Sequence, residues 1–356
     1  MTDPESTSAR FGRPVRLSDV AAQAGVSVKT VSRVLNGEQY VTETMRQLVL
    51  RTAAELGYVG DSRARTLRTN RSGFLGFVVP DIRNGFFARL TQSMETRVAN
   101  AGQTMLLGIS DELPEKEDRY LRLFRQQRID GLVVVPAGGP SLIDVSHRLP
   151  VVVLERTTEE LQGKADHVLV QNFEAAQQLT RHLAGAHGLT ELAMVGGEST
   201  VSSVMERRRG FVEAVTELGL PLHESNGHLS IEDATAGALA LFRTLEPPFG
   251  VFATGSRMYW GVMAAIAQLG LRIPKDVAVV TFDGTGDVNI SPVMPTQAIL
   301  PVETMTARAM QLLVERTASP ELEPRTRYVE CDIIYGTTCG CVESDLTGPL
   351  VVRGRA

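Results

Sequence analysis

The 356-residue sequence predicts two folds in series: an N-terminal all-α head of helix-turn-helix type, then an α/β core of two lobes with parallel sheets. Three observations carry that prediction. Residues 17–36 contain two short helical periods that meet at Gly25. From Gly73 onward, short buried-strand runs recur about every 20–30 residues with helical stretches between them, the βαβ signature of parallel sheets. The chain is also too long for one compact core and fits two or three domains.

In the head, Leu17, Val20, Ala21 and Ala24 fall at helical spacing, and Ser18 is the expected N-cap. Gly25 supplies the left-handed conformation that ends a helix sharply. Ser27 is then placed to cap a second helix with Val31, Val34 and Leu35 on its apolar stripe. Val28, Lys29, Ser32 and Arg33 are left pointing away from that stripe. A third helix is expected after Thr42, with Met45, Leu48, Val49, Ala53 and Leu56 on one face and Gly57 as its stop. Two helices joined by such a turn can push the second into the DNA major groove. Charge agrees with this: residues 1–72 hold 11 Lys and Arg against 7 Asp and Glu, or +4, so a chain of net −5 carries −9 on residues 73–356. A cationic head on an anionic body suits DNA binding by one end.

The core strands are expected at FLGFVVP, TMLLGI, GLVVVP, PVVVLE, HVLV, LAMVGG, GVFAT and VAVVTF, with a late return near 325–334. Ligands of such sheets bind at the carboxyl ends of the strands. Gly196-Gly197 and Gly131 match neither nucleotide-loop pattern and are expected to be tight strand exits. The histidines (His147, His167, His182, His187, His223 and His228) form no H-E-x-x-H set, and no nucleophile elbow is present. No catalytic, cofactor or metal site is therefore expected. Cys331, Cys339 and Cys341 form no disulfide framework, and Cys339-Gly-Cys341 lacks the usual spacing and nearby histidines, so reduced, incidental thiols are expected. With 43% hydrophobic and 22% charged residues the composition is that of a globular protein. No apolar run approaches membrane-spanning length. The polar N-terminus MTDPESTSARFGRP carries no apolar signal core, which makes the cytoplasm the expected compartment.

Several segments in register carry a family resemblance: GVSVKTVSRVLNG, VTETMRQLV, AAELGYV and ARTLRTNRSGFLGFVVPDIRNGFF. Together they resemble the N-terminal third of the LacI-type (lactose/galactose repressor) family of bacterial transcription factors. The match runs from Leu17 to Phe87, with weaker echoes to about Thr338. It implies a periplasmic-binding-protein-like core. It also implies a disordered arm at 1–16, a DNA-binding domain at 17–57, a hinge helix at 58–72, a core at 73–339 and a tail at 340–356. Within the core, lobe 1 is expected at about 73–170 and 300–329, and lobe 2 at about 171–299 and 330–339. Val28, Lys29 and Arg33 take the family's base-reading positions; Arg33 suits guanine, whereas Lys29 suits either a base or a phosphate. Ser27, Thr30, Ser32 and Asn36 would position the DNA backbone. Ala64 and Leu67 match the hinge positions that wedge a minor-groove step, with Arg65 and Arg68 on the phosphates.

For the cleft, the resemblance assigns Asp283 to effector hydroxyls and Arg207, in Arg207-x-x-Gly210-Phe211, to a carboxylate, phosphate or sugar oxygen. Phe86 and Phe87 take a stacking position, and Glu155 and Arg156 end a strand at the cleft mouth. The sequence departs from the family at Thr254-Gly255-Ser256, where Ala-Asn-Asp is usual, and at TFDG, where Asp283 precedes Gly284 in place of a second aspartate. Ser256 is kept as a candidate contact. The tail has no leucine heptads, so the expected assembly is a homodimer on a pseudo-palindromic duplex. The expected function is an effector-controlled transcriptional regulator, most simply a repressor, and not an enzyme. The rival readings are a solute-binding protein with a non-functional head and an α/β enzyme.

Overall fold

The computed structural model describes residues 15–35, 41–58, 71–138, 149–283 and 294–341. The chain divides into two compact units, Met1–Ser72 and Gly73–Ala356.

The head contains α1 (Leu17–Ala24), α2 (Val28–Leu35) and α3 (Glu43–Glu55). Val20, Ala21, Ala24, Val31, Val34, Val49 and Ala53 form its core, and Met45, Leu48, Leu35 and Leu56 pack against it. Gly25 ends α1 at φ 64°, as the sequence requires. Ser27 caps α2, its Oγ accepting from the Thr30 N–H at 3.1 Å. Ser18 is not a cap. Helix α1 begins two residues earlier than a Ser18 cap would require, with Arg16 at the cap position and its N–H donating to the Asp19 carboxylate at 2.8 Å. An acid in the first turn satisfies that orphan donor and favours the helix dipole, so Ser18 is left inside the helix. Thr42 does occupy the cap position of α3, but its side chain makes no capping hydrogen bond.

The core unit carries two six-stranded sheets. Its strands are β1 (Phe74–Val79), β2 (Thr104–Ile109), β3 (Gly131–Val134), β4 (Val151–Glu155), β5 (Asp166–Val170), β6 (Leu192–Gly197), β7 (Leu222–His228), β8 (Phe249–Ala253), β9 (Val277–Phe282), β10 (Thr296–Ile299), β11 (Thr326–Val329) and β12 (Asp332–Ile334). The first sheet runs β11-β5-β4-β3-β1-β2 and is parallel throughout. The second runs β12-β10-β9-β8-β6-β7, parallel except for the antiparallel β10–β12 pair. Their helices are α4 (Gly85–Asn100), α5 (Pro114–Gln126), α6 (Asn172–His187), α7 (Ser202–Glu217), α8 (Ile231–Phe242), α9 (Ser256–Leu269) and α10 (Val302–Ala318). Covered on both faces, the central strands are continuous apolar runs such as VVVLE and VAVVTF. Among the strands without such a signature, β7, LHESNGH, lies at a sheet edge, and β10, TQAI, buries Thr296 and Gln297.

Three crossings stitch the lobes together. The chain passes from β5 into α6, returns from β10 through α10 to β11, and ends beside the second sheet. The return is anchored on buried Asp166, which accepts from Arg316 Nε and Nη2 at 3.0 Å each and from the Arg325 N–H at 3.0 Å. Helices α6 and α7 approach so closely that a Cβ at Gly210 would lie 2.4 Å from the Phe173 carbonyl oxygen. Among the described residues, no helix is long and apolar enough to cross a membrane.

The final described segment corrects one sequence expectation. Cys339 and Cys341 are buried against the second lobe, and their sulfurs meet the imidazoles of His182 and His187 at the end of α6. Histidine neighbours are therefore present. They lie 157 and 154 residues away along the chain, a separation no linear pattern exposes.

Candidate nucleic-acid interface and inter-lobe cleft

On the head, α2 divides its residues by burial. Val31 and Val34 are buried, whereas Val28, Lys29 and Arg33 are exposed. Ser32 and Thr30 are half-buried, and the Thr30 hydroxyl lies 2.9 Å from Ser27 Oγ. The outer face thus offers one aliphatic and two cationic side chains on a short rigid helix, a surface able to read base edges and hold phosphate. Asn36, Ala64, Arg65, Leu67 and Arg68 lie outside the described residues.

In the core unit, a cavity of about 1000 Å³ opens between the lobes at the carboxyl ends of both sheets. All seven cleft residues named from sequence line it: Phe86, Phe87, Glu155, Arg156, Arg207, Ser256 and Asp283. Each has a structural reason to be there. Asn84 caps α4 by accepting from the Phe86 N–H at 3.0 Å, which sets Phe86 and Phe87 in the first turn. Both rings are mostly sunk in lobe 1, with centroids 5.0 Å apart. Glu155 ends β4 and Asp283 follows β9, with φ of +72° and +45°. A non-glycine residue held at positive φ costs about 1–3 kcal/mol, strain that collects at ligand sites. Ser256 opens α9 after Gly255.

Arg207 is the most constrained of the set. Its Nε donates to Asn172 Oδ1 at 2.7 Å, its Nη1 to the Thr254 carbonyl at 2.8 Å, and its guanidinium carbon sits 4.2 Å from the centre of the Phe282 ring. The neighbouring carboxylates of α7 are engaged elsewhere: Glu206 accepts from Arg209 and Glu213 from Gln177. Among the described residues the Nη2 of Arg207 is buried without a hydrogen bond, 3.5 Å from Glu155 Oε1. Burial lowers the Arg207 pKa, and the charges of Glu155 and Asp283 oppose the change. A guanidinium stays charged nonetheless. Arg156 reaches Glu112 Oε1 at 3.0 Å and Glu155 Oε2 at 3.5 Å.

Sequence reasoning missed several polar and charged partners. Arg89 of α4 donates to both oxygens of Asp283, Arg257 of α9 pairs with Asp81 after β1, and Asn172 orients Arg207. Arg83 Nε also donates to Asp81, at 2.9 Å. Burial acts first on Asp81, raising its pKa, but hydrogen bonds from Arg83 and the Arg257 charge more than reverse it and leave the carboxyl below its usual value. The only local sign was the run VVPDIRNGFFAR, which places Asp81, Arg83 and Arg89 at the end of a strand and on the first turns of the next helix. Which carboxylate each would meet depends on the other lobe.

A small cationic three-helix head and a two-lobed α/β core with a polar cleft define a DNA-binding regulator whose core senses a small molecule. The comparisons with known proteins place it within that class. Residues 16–61 match the model for bacterial regulatory proteins of the lacI family, and residues 180–339 match that for a periplasmic binding protein-like domain. The chain is 32% identical over 307 residues to the ribose operon repressor of Halalkalibacterium halodurans, covering 86% of this chain and 92% of that protein. It is 27% identical over 329 residues to the HTH-type transcriptional repressor PurR of Vibrio cholerae, covering 90% and 97% respectively. The lac repressor dimer bound to operator and the anti-inducer ONPF superposes with a TM-score of 0.79 at 20% identity, over 92% of this chain and 99% of that one. A putative LacI-family regulator from Sanguibacter keddieii gives 0.67 at 25% identity, over 76% and 100%. The chain belongs to the lacI family of bacterial regulatory proteins. It is a DNA-binding transcriptional repressor with an effector-binding core.

Proposed function

We propose that the inter-lobe cavity binds a small hydroxylated metabolite, a sugar or close relative, through Arg207, Asp283, Glu155, Arg156 and Ser256, with Phe86 and Phe87 against its apolar face. The observation that carries this is the buried Nη2 of Arg207, which has no hydrogen bond among the described residues and sits in a polar cavity of ligand size. The family's usual asparagine is replaced by Gly255, which offers no side-chain amide, so hydroxyl recognition falls to the arginines and carboxylates. The name of the ribose operon repressor points to a pentose as the first ligand to try.

Binding controls the head by shifting the balance between lobe arrangements, and only by as much as the ligand prefers one over the other. We assign base reading to Val28, Lys29 and Arg33, backbone positioning to Ser27, Thr30, Ser32 and Asn36, and the minor-groove hinge to Ala64, Arg65, Leu67 and Arg68. The acting species is a homodimer on a pseudo-palindromic operator, in the cytoplasm and at the nucleoid, with no enzymatic turnover.

Selection of bound duplexes from random DNA, repeated with pentoses and a panel of other small metabolites, tests this. One enriched inverted repeat whose yield changes with a single metabolite is the expected result. Metabolite binding with no enriched duplex would instead support a solute-binding protein with an inert head.

A further inference from the structure

We propose that His182, His187, Cys339 and Cys341 form a tetrahedral transition-metal site that takes zinc(II) and clasps the end of α6 to the last described segment of the chain. All four ligand atoms lie within 4.8 Å of one another. The measured separations are 3.1 Å between the two imidazole Nε2 atoms and 3.4 Å between the two sulfurs. His182 Nε2 lies 3.4 Å from each sulfur, and His187 Nε2 lies 3.7 Å from Cys341 Sγ. A tetrahedral zinc with Zn–S near 2.3 Å and Zn–N near 2.0–2.1 Å requires edges of roughly 3.3 Å (N–N), 3.6 Å (N–S) and 3.8 Å (S–S). Five of the six edges therefore already stand within a few tenths of an ångström of those values, and the sixth, between His187 and Cys339 Sγ, is no longer than 4.8 Å.

The donor set fits the ion. Two thiolates and two neutral imidazoles balance a divalent charge, and an S2N2 tetrahedron selects zinc over magnesium or calcium, which need oxygen ligands. Four protein ligands leave no open position, so the site is structural rather than catalytic.

The surroundings are pre-formed. Thr338 is fully buried, donating to the Val279 carbonyl at 2.7 Å and accepting from the Thr296 N–H at 2.9 Å, which fixes the residue before Cys339. The Thr296 hydroxyl lies 2.8 Å from Cys339 Sγ, in place to donate to a thiolate. Gly340, at φ 104°, turns the chain so that both sulfurs face one point. Tyr335 packs its ring 4.6 Å from that of His182 and limits its rotation. The clasp stands about 20 Å from the cleft along α6, given a rise of 1.5 Å per residue, and does not depend on which effector binds there.

The test uses the full chain, without a histidine tag, grown with zinc and dialysed against metal-free buffer. About one zinc per chain by elemental analysis is expected. Cobalt(II) exchanged into the site should give thiolate-to-cobalt charge-transfer bands and intense tetrahedral d–d bands. His187→Asn, at a half-exposed helix end, should lose those bands with its circular dichroism unchanged. In the wild type, Cys339 and Cys341 should react with a thiol reagent at least tenfold faster once a chelator is added. Wild-type protein with less than a tenth of a zinc per chain and no cobalt charge-transfer band would overturn the proposal, as would thiol reactivity indifferent to chelator.

Discussion

Arg89 Nη2 donates to both carboxylate oxygens of Asp283 at 2.7 Å each, tying the first helix of one lobe to the strand end of the other across the cleft. Arg257 and Asp81 make a second such tie, and Arg207 and Glu155 a third. The cleft is thus held by charges that a ligand must join or replace.

Breaking the first tie strands a charge. The Asp283 side chain is 5% exposed against 33% for Arg89, so Arg89→Ala leaves a nearly buried carboxylate without its cation. A loss of about 2–4 kcal/mol in urea unfolding is expected, somewhat below the range for a fully buried pair. Adding Asp283→Asn should recover about 1–2 kcal/mol of it in a double-mutant cycle. Additive losses would show that the pair carries no coupling.

Arg207→Lys should abolish the thermal shift given by any cleft ligand while leaving the operator complex formed without ligand intact. An ammonium cannot serve Asn172, the Thr254 carbonyl and a ligand from one plane, so this exchange is not conservative. An unchanged thermal shift would place the ligand elsewhere.

Glu117 makes stability depend on pH. Burial pushes its carboxyl from an ordinary value near 4.5 up to about 7, opposed by the Ala137 N–H hydrogen bond and the Arg156 charge. Because the folded-state value is the higher one, this residue's contribution is complete below pH 4.5 and is lost as pH rises to about 7. The expected loss is about 3 kcal/mol across that window. Unfolding free energies of Glu117→Gln should lack that decline, and parallel wild-type and variant profiles would contradict it.

Gly210→Ala tests the α6–α7 contact. The new Cβ would meet the Phe173 carbonyl at 2.4 Å and the Ala176 Cβ at 2.9 Å, so a loss of at least about 1–3 kcal/mol is expected. Denaturant midpoints at constant slope would measure it.

On the head, Arg33→Ala should flatten base preference at one half-site position by about 1–3 kcal/mol, whereas Arg68→Ala should weaken all duplexes alike and reduce the salt slope. Binding across a library of single-base operator variants, read at two salt concentrations, separates the two.

Much of this was legible along the chain because the signals are local. Gly25 and Ser27 announce the turn of the head, and apolar runs such as VVVLE and VAVVTF announce fully covered strands. Glu155, Arg156, Ser256 and Asp283 lay at or just past strand ends, where a parallel sheet presents its ligand, whereas Arg207, Phe86 and Phe87 lie on helices and were placed by the family resemblance. Strand β10 escaped because its buried Thr296 and Gln297 mimic a loop, and the Gly336, Thr338 and Cys339 partners of Thr296 lie 40–43 residues further along the chain.

What sequence alone determined is therefore the order of elements, the sign of charge on each unit, and which loops face the cleft, since periodicity and turn chemistry act over a few residues. Tertiary structure alone decided the partners: Arg89 with Asp283 across 194 residues, and Cys339 with His182 across 157. Electrostatic and ligand geometry operate over ångströms in space, and contour distance along the chain carries no trace of them.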